Sequence, residues 1–152
     1  MRRREFLAAL SSAAAATSPL AARAQERMRR IGILLPAAAD DTEYQARVGA
    51  FLQGLQQSGW TIGRNVRIDT RWATADADAI RRHAAELAAL APDVMLAHGG
   101  LTVGAIQQAT RAVPIVFPVF VDPVGAGVVD SLARPGGNAT GFMSYEYSLS
   151  GK

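Results

Sequence analysis

"VPIVFPVFVDPVGAGVVDSLARPGGNATG", Val113–Gly141, decides the fold. An apolar run ends at Asp122-Pro123, a short apolar segment follows at Val128, Val129 and Leu132, and a glycine-rich turn leads to Asn138–Gly141. The first run has the character of a buried strand, the second suggests a short helix, and "NATGFMS" suggests another strand. Glycines around a short apolar run also occur in phosphate-binding loops, but that fingerprint fails. Gly125 and Gly127 supply the first two positions of G-x-G-x-x-G, and Asp130 stands at the third. The run also lies late in the chain, and no G-x-x-x-x-G-K-[ST] loop occurs anywhere.

Upstream the same grammar repeats. "RRIGILLP" (Arg29–Pro36) and "PDVMLAHGG" (Pro92–Gly100) are buried-type runs closed by Pro or Gly, and "NVRIDTRW" (Asn65–Trp72) alternates as an edge strand does. Between them the period becomes helical: Tyr44, Val48, Phe51, Leu52 and Leu55 share one face before Gly59, and Ile80, Ala84, Leu87, Ala88 and Ala91 share another before Pro92. Ala105, Ile106 and Ala109 suggest a third helix. Alternating strands and helices of this kind predict an α/β fold, a doubly wound parallel sheet of about five strands with flanking helices.

Ligands of such sheets lie beyond the carboxyl ends of the strands. That rule selects three loops: Pro36, Ala37 and onward to Asp41; His98, Gly99, Gly100 and Thr102; and the turn that begins at Asp122 and Pro123. Gly99 and Gly100 let a ligand approach the backbone, and the helix start near Leu101, with the Thr102 hydroxyl, suits a carboxylate. A tight strand-to-helix turn that needs glycine for its own geometry fits the same residues. Asp122-Pro123 reads equally as a ligand contact or as a turn. Gly136, Gly137, Asn138, Thr140 and Gly141 form either a hinge or a surface loop before the last strand.

The first residues, "MRRREFLAALSSAAAATSPLAARAQ", have a basic start, a modestly apolar middle and Ala22-Arg23-Ala24, an A-x-A-like processing site. Residues 1–24 are therefore expected to be an export signal cleaved near Ala24, and Arg3-Arg4-Glu5-Phe6-Leu7 resembles the twin-arginine motif. The general secretory route is the alternative. Without that segment, 16 basic and 13 acidic residues become 12 and 12. No Lys/Arg cluster interleaved with aromatics remains, so no nucleic-acid partner is expected. The chain has no cysteine, and its two histidines, His83 and His98, have no partner at metal spacing. No metal or cofactor is expected.

"IGILLP", "FLQGLQQSGWTIGRNVRIDTRWA", "LAPDVMLAHGG" and "VPIVFPVFVDPVGAGVVDSLARPGGNATG", in this order and spacing, resemble the ABC transporter substrate-binding proteins that include tryptophan-type binding proteins. The resemblance runs from Arg30 to Lys152, and "LARPGGN" followed by Thr-Gly is its most distinctive part. It implies a type I periplasmic-binding-protein fold of two lobes closing on a small ligand, without catalysis. Delivery to a membrane permease powered by an ATPase is implied as well. Such proteins are about twice this length, so residues 25–143 are expected to form the amino-terminal lobe and residues 144–152 the start of a second, missing one. Relatives often carry serine or glycine where this chain has Ala37-Ala38-Ala39, which leaves backbone contacts from that loop.

Two other classes share this pattern of strands and helices. A phospho-acceptor receiver needs an aspartate ending the third strand and a late lysine, whereas His98 stands at the first position and the only lysine is Lys152. A periplasmic module that senses the same ligand fits the sequence as well as a transport component does. Replacing Arg3 and Arg4 by Lys is expected to leave the precursor in the cytoplasm, measured by cell fractionation; unchanged delivery would assign the general secretory route.

Overall fold

The computed structural model describes residues 27–144. The expected export signal, its cleavage point and residues 145–152 of the expected second-lobe segment lie outside the described residues. Eight elements follow in order: β1 (Arg29–Leu35), α1 (Thr42–Gln57), β2 (Val66–Trp72), α2 (Ala77–Ala89), β3 (Val94–Ala97), α3 (Gly100–Ala109), β4 (Ile115–Phe120) and β5 (Ala139–Met143). The strands form one parallel sheet in the order β2-β1-β3-β4-β5. The doubly wound parallel sheet read from the alternation is thus the fold, and β2 holds the edge that its alternating pattern required.

β1 pairs with β2 over its whole length, Arg29 opposite Val66 to Leu35 opposite Trp72. On its other side, Ile31 to Leu34 pair with Val94 to Ala97 of β3. The chain therefore moves outward from β1 to β2 and returns across β1 to β3. The order of strands reverses between β1 and β3, which is where such sheets open a crevice at their carboxyl ends.

The two faces are covered unequally. On one, Ile80, Ala84 and Leu87 of α2 and Val103, Ala105 and Ile106 of α3 pack on Leu34, Met95, Ala97, Ile115, Phe117 and Ala139. Each fully buried large side chain there contributes about 1.5–3 kcal/mol. On the other face the buried set is Ile31, Ile33, Leu35 and Val66, against which Tyr44, Val48, Phe51 and Leu55 of α1 pack while only partly buried. No residue of α1 is fully buried.

Helix ends follow local chemistry. Asp41 caps α1 by accepting from the N–H groups of Glu43 and Tyr44, and Asp76 caps α2 by accepting from Asp78 and Ala79. These two bonds hold the Asp76 carboxyl below its ordinary pKa.

The expected short helix at Val128–Leu132 does not form. Residues after Pro123 make successive turns: Ala126 donates to the Asp122 carbonyl, Gly127 to that of Val124, and both Val128 and Val129 to that of Pro123. Gly127 has a φ of 69°, outside the right-handed helical region, which interrupts a continuing helix. Val128 and Val129 are nevertheless buried, so the apolar pattern reported burial in a turn. The expected fifth strand does form, with Ala139, Thr140 and Gly141 opposite Ile115, Val116 and Phe117.

Gly141 approaches β4 so closely that a Cβ there would lie 2.0 Å from the Phe117 carbonyl oxygen. Gly141→Ala is expected to cost about 1–3 kcal/mol in urea unfolding as the β4–β5 pair shifts. Gly137→Ala, where a Cβ meets open space, is expected to leave stability unchanged or raise it by up to about 1 kcal/mol through the unfolded chain.

Candidate functional site

The three loops selected from the sequence all leave the carboxyl ends of their strands, after β1, β3 and β4. Those after β1 and β3 flank the reversal of strand order, and the loop after β4 lies on the neighbouring strand.

After β1, Pro36 is half-buried and Ala37 buried, with the Ala37 carbonyl accepting from the Thr74 N–H. Asp41 lies at the far end of this loop with one carboxylate oxygen, Oδ1, engaged in capping α1. The loop thus offers a ligand mainly backbone and apolar surface.

After β3, Gly99 has φ 84° and ψ 168°, a conformation open to glycine alone in practice. That bend starts α3 immediately, at Gly100, with no side chain capping its first N–H groups. A Cβ at Gly99 would meet nothing within 4 Å, whereas one at Gly100 would sit 3.3 Å from the Phe120 ring. Gly99 is therefore required by its φ, and Gly100 lies against an aromatic wall. The Thr102 side chain is fully buried, and its hydroxyl lies 2.9 Å from the His98 carbonyl and 3.1 Å from that of Gly99. Its hydrogen is directed into the turn, so Thr102 shapes the loop from within.

After β4, the Asp122 carboxylate accepts from the Gly125 N–H at 2.7 Å, closing a turn over the buried Pro123. The carboxylate is half-buried and keeps free acceptor capacity. In the stretch read as hinge or loop, Gly136 has a φ of 76° and Gly137 is unconfined. Asn138 is anchored: its side-chain amide donates to the carbonyls of Thr110 at 3.2 Å and Val113 at 2.8 Å. Thr140 and Gly141 lie inside β5. Of the two glycines before the strand, Gly137 is open, whereas Gly136 lies against the Asp130 carboxylate, which fills the place a side chain would take.

The side chain with the most elaborate environment at this edge is His98. Its Nδ1 lies 3.2 Å from the Tyr44 hydroxyl and its Nε2 lies 2.8 Å from an Arg47 guanidinium nitrogen. Arg47 also pairs with Glu43 and lies over the Tyr44 ring at 5.0 Å. Tyr44, half-buried, and Arg47, exposed, lie one turn apart on α1 and both reach His98. Sequence reading counted Tyr44 as a packing residue and passed over Arg47, since nothing local connects residues more than 50 positions from His98. Beneath the cluster a groove of about 340 Å3 runs between α1 and the sheet, walled by Leu35, Phe51, Leu96, Pro118 and Val119.

The strand order and the gathered loops define an α/β lobe of the kind that meets ligands at one edge of its sheet. The chain belongs to the ABC transporter substrate binding protein family, whose model matches residues 30–148. It is 33% identical over 95 residues to the tyrosine-binding protein of Clostridioides difficile, a match covering 62% of this chain and 28% of that protein. The ligand-free, open structure of a Clostridium difficile substrate binding protein with adhesive properties is similar, with a TM-score of 0.73 and 27% identity over 82% of this chain and 41% of that one. A Streptococcus pneumonia ABC domain in complex with L-Trp shares the fold, with a TM-score of 0.70 and 24% identity over 76% of this chain and 38% of that one. The chain thus spans less than half the length of these relatives.

Asp41→Ala removes the cap of the helix that carries Tyr44 and Arg47. It is expected to lower stability by about 0.5–2 kcal/mol in urea unfolding, with faster amide exchange confined to the first turns of α1.

Proposed function

We propose that this chain supplies one wall of the ligand cleft of a periplasmic ABC importer component that binds an amino acid or related small carboxylate. The observation that carries this reading is the uncapped start of α3 after Gly99, set beside the reversal of strand order. Free N–H groups at a helix start favour an anion, and the family supplies the context of transport. In this reading Pro36, Ala37 and Asp41 line the cleft on one side, His98, Gly99 and Gly100 form its floor with the buried Thr102 holding their turn from beneath, and Asp122, in the turn over the buried Pro123, closes the other side. Asp122 then accepts from the ligand's ammonium group. Gly136 and Gly137 give the freedom for movement between lobes, and Asn138, Thr140 and Gly141 fix where that movement begins. The opposing wall belongs to the length of the relatives that this chain does not span, and residues 144–152 lead toward it.

Export in residues 1–24, with cleavage near Ala24, would bring the chain through the export machinery to the periplasm, where a membrane permease receives the ligand. The aromatic ligands named for two similar proteins make L-tryptophan and L-tyrosine the first probes.

Thermal unfolding of the purified chain with amino acids, small carboxylates, sugars and nucleosides tests the reading, since a ligand of the folded state raises Tm by mass action. A rise with amino acids at millimolar concentration is expected, because one wall cannot bury about 70–90% of a small ligand. Gly99→Val is expected to abolish that rise. A response to sugars alone, or an undiminished response in a folded Gly99→Val variant, would refute the carboxylate site.

A further inference from the structure

α1 is the least anchored element of the lobe. It contributes no fully buried residue, and its amino-terminal half overhangs the groove walled by Leu35, Leu96, Pro118 and Val119. At that end, besides the Gln45 side-chain amide donating to the Ala39 carbonyl of the loop before it, its polar attachments among the described residues are the two contacts with His98. An arginine can only donate, so the 2.8 Å contact makes His98 Nε2 the acceptor and leaves it without a proton. A neutral imidazole then carries its hydrogen on Nδ1, which faces the Tyr44 hydroxyl at 3.2 Å. One protonation state and one tautomer satisfy both contacts.

We infer that neutral, Nδ1-protonated His98 is a clasp that helps fasten α1 to the sheet, and that uptake of one proton loosens the helix over the groove beneath it. The inference goes beyond the ligand reading and stands on the attachment of α1 alone. A proton on Nε2 would point a donor at a donor and set an imidazolium against the Arg47 guanidinium. The surroundings oppose that charge. Partial burial and then Arg47 lower the His98 pKa below its ordinary value, and backbone hydrogen bonding at His98 and then Glu43 oppose this by less. Glu43, Tyr44 and Arg47 are the titratable groups that α1 presents to the ring. β1 and β4 present Leu35, Pro118 and Val119 to the same groove, and α3 presents the Thr102 hydroxyl to the His98 carbonyl.

The direction of the response follows. With the folded-state pKa below about 6.5, the unfolded chain binds more protons between the two values, so stability falls as pH drops through that window. The loss is concentrated in α1, because α2 and α3 are held by fully buried side chains on the opposite face.

Nitrogen NMR of the purified chain is expected to show the Nδ1–H tautomer for His98 at pH 7.5. Amide-exchange protection of Val48–Leu55 is expected to fall about tenfold relative to α2 and α3 as His98 titrates, the loss appropriate to a hydrogen bond with a charged partner. His98→Gln should abolish this pH response, whereas Glu43→Gln, which removes the carboxylate that pairs with Arg47, should retain it. An Nε2–H tautomer, uniform protection across the three helices, or a pH response that survives in His98→Gln would overturn the clasp.

Discussion

A parallel sheet is stable only when both of its faces are covered, and this requirement governs the lobe. β1 has hydrogen-bonded neighbours on both sides, and Ile33 and Leu34, consecutive on it, point into opposite layers with no exposed surface. One layer is filled by two helices that bury large side chains. The other is filled by one helix that buries none completely. The difference separates a fully buried layer, on which α2 and α3 pack, from a less buried one whose helix carries Tyr44 and Arg47.

Much of this was legible from short-range pattern. The alternation of Val66, Ile68 and Thr70 identified an edge strand, and the 3.6-residue spacing of Ile80, Ala84 and Leu87 identified the buried face of a helix. The apolar spacing of Val128, Val129 and Leu132 misled, because a turn can bury two adjacent valines without helical backbone; Gly127 was the signal against it. The His98 cluster could not be read in advance. Tyr44 and Arg47 sit where any amphipathic helix carries packing or solvated residues, and only strand order brings them to the end of β3.

The loops divide between residues that present surface and residues that maintain shape. Gly99 holds a backbone bend, Thr102 ties it from within, and Asp41 and Asp122 spend acceptors on the chain's own N–H groups. The shape of these loops depends more on correctly placed main chain than on exposed side chains. The roles of the two aspartates also differ: Asp41 is fixed by the helix it caps, whereas Asp122 belongs to a turn between a strand and an irregular segment.

After β5 the chain does not leave the sheet freely. The Ser144 N–H donates to the Phe120 carbonyl at 2.9 Å, so the departing strand is fastened to the last residue of β4, two positions before Asp122. Phe120 also stacks edge-on with Phe117, and its ring tip lies where a side chain at Gly100 would go. The main chain after β5 is therefore tied to the same residue whose ring stands against the first turn of α3, so the exit from the sheet and the loop after β3 share one anchor.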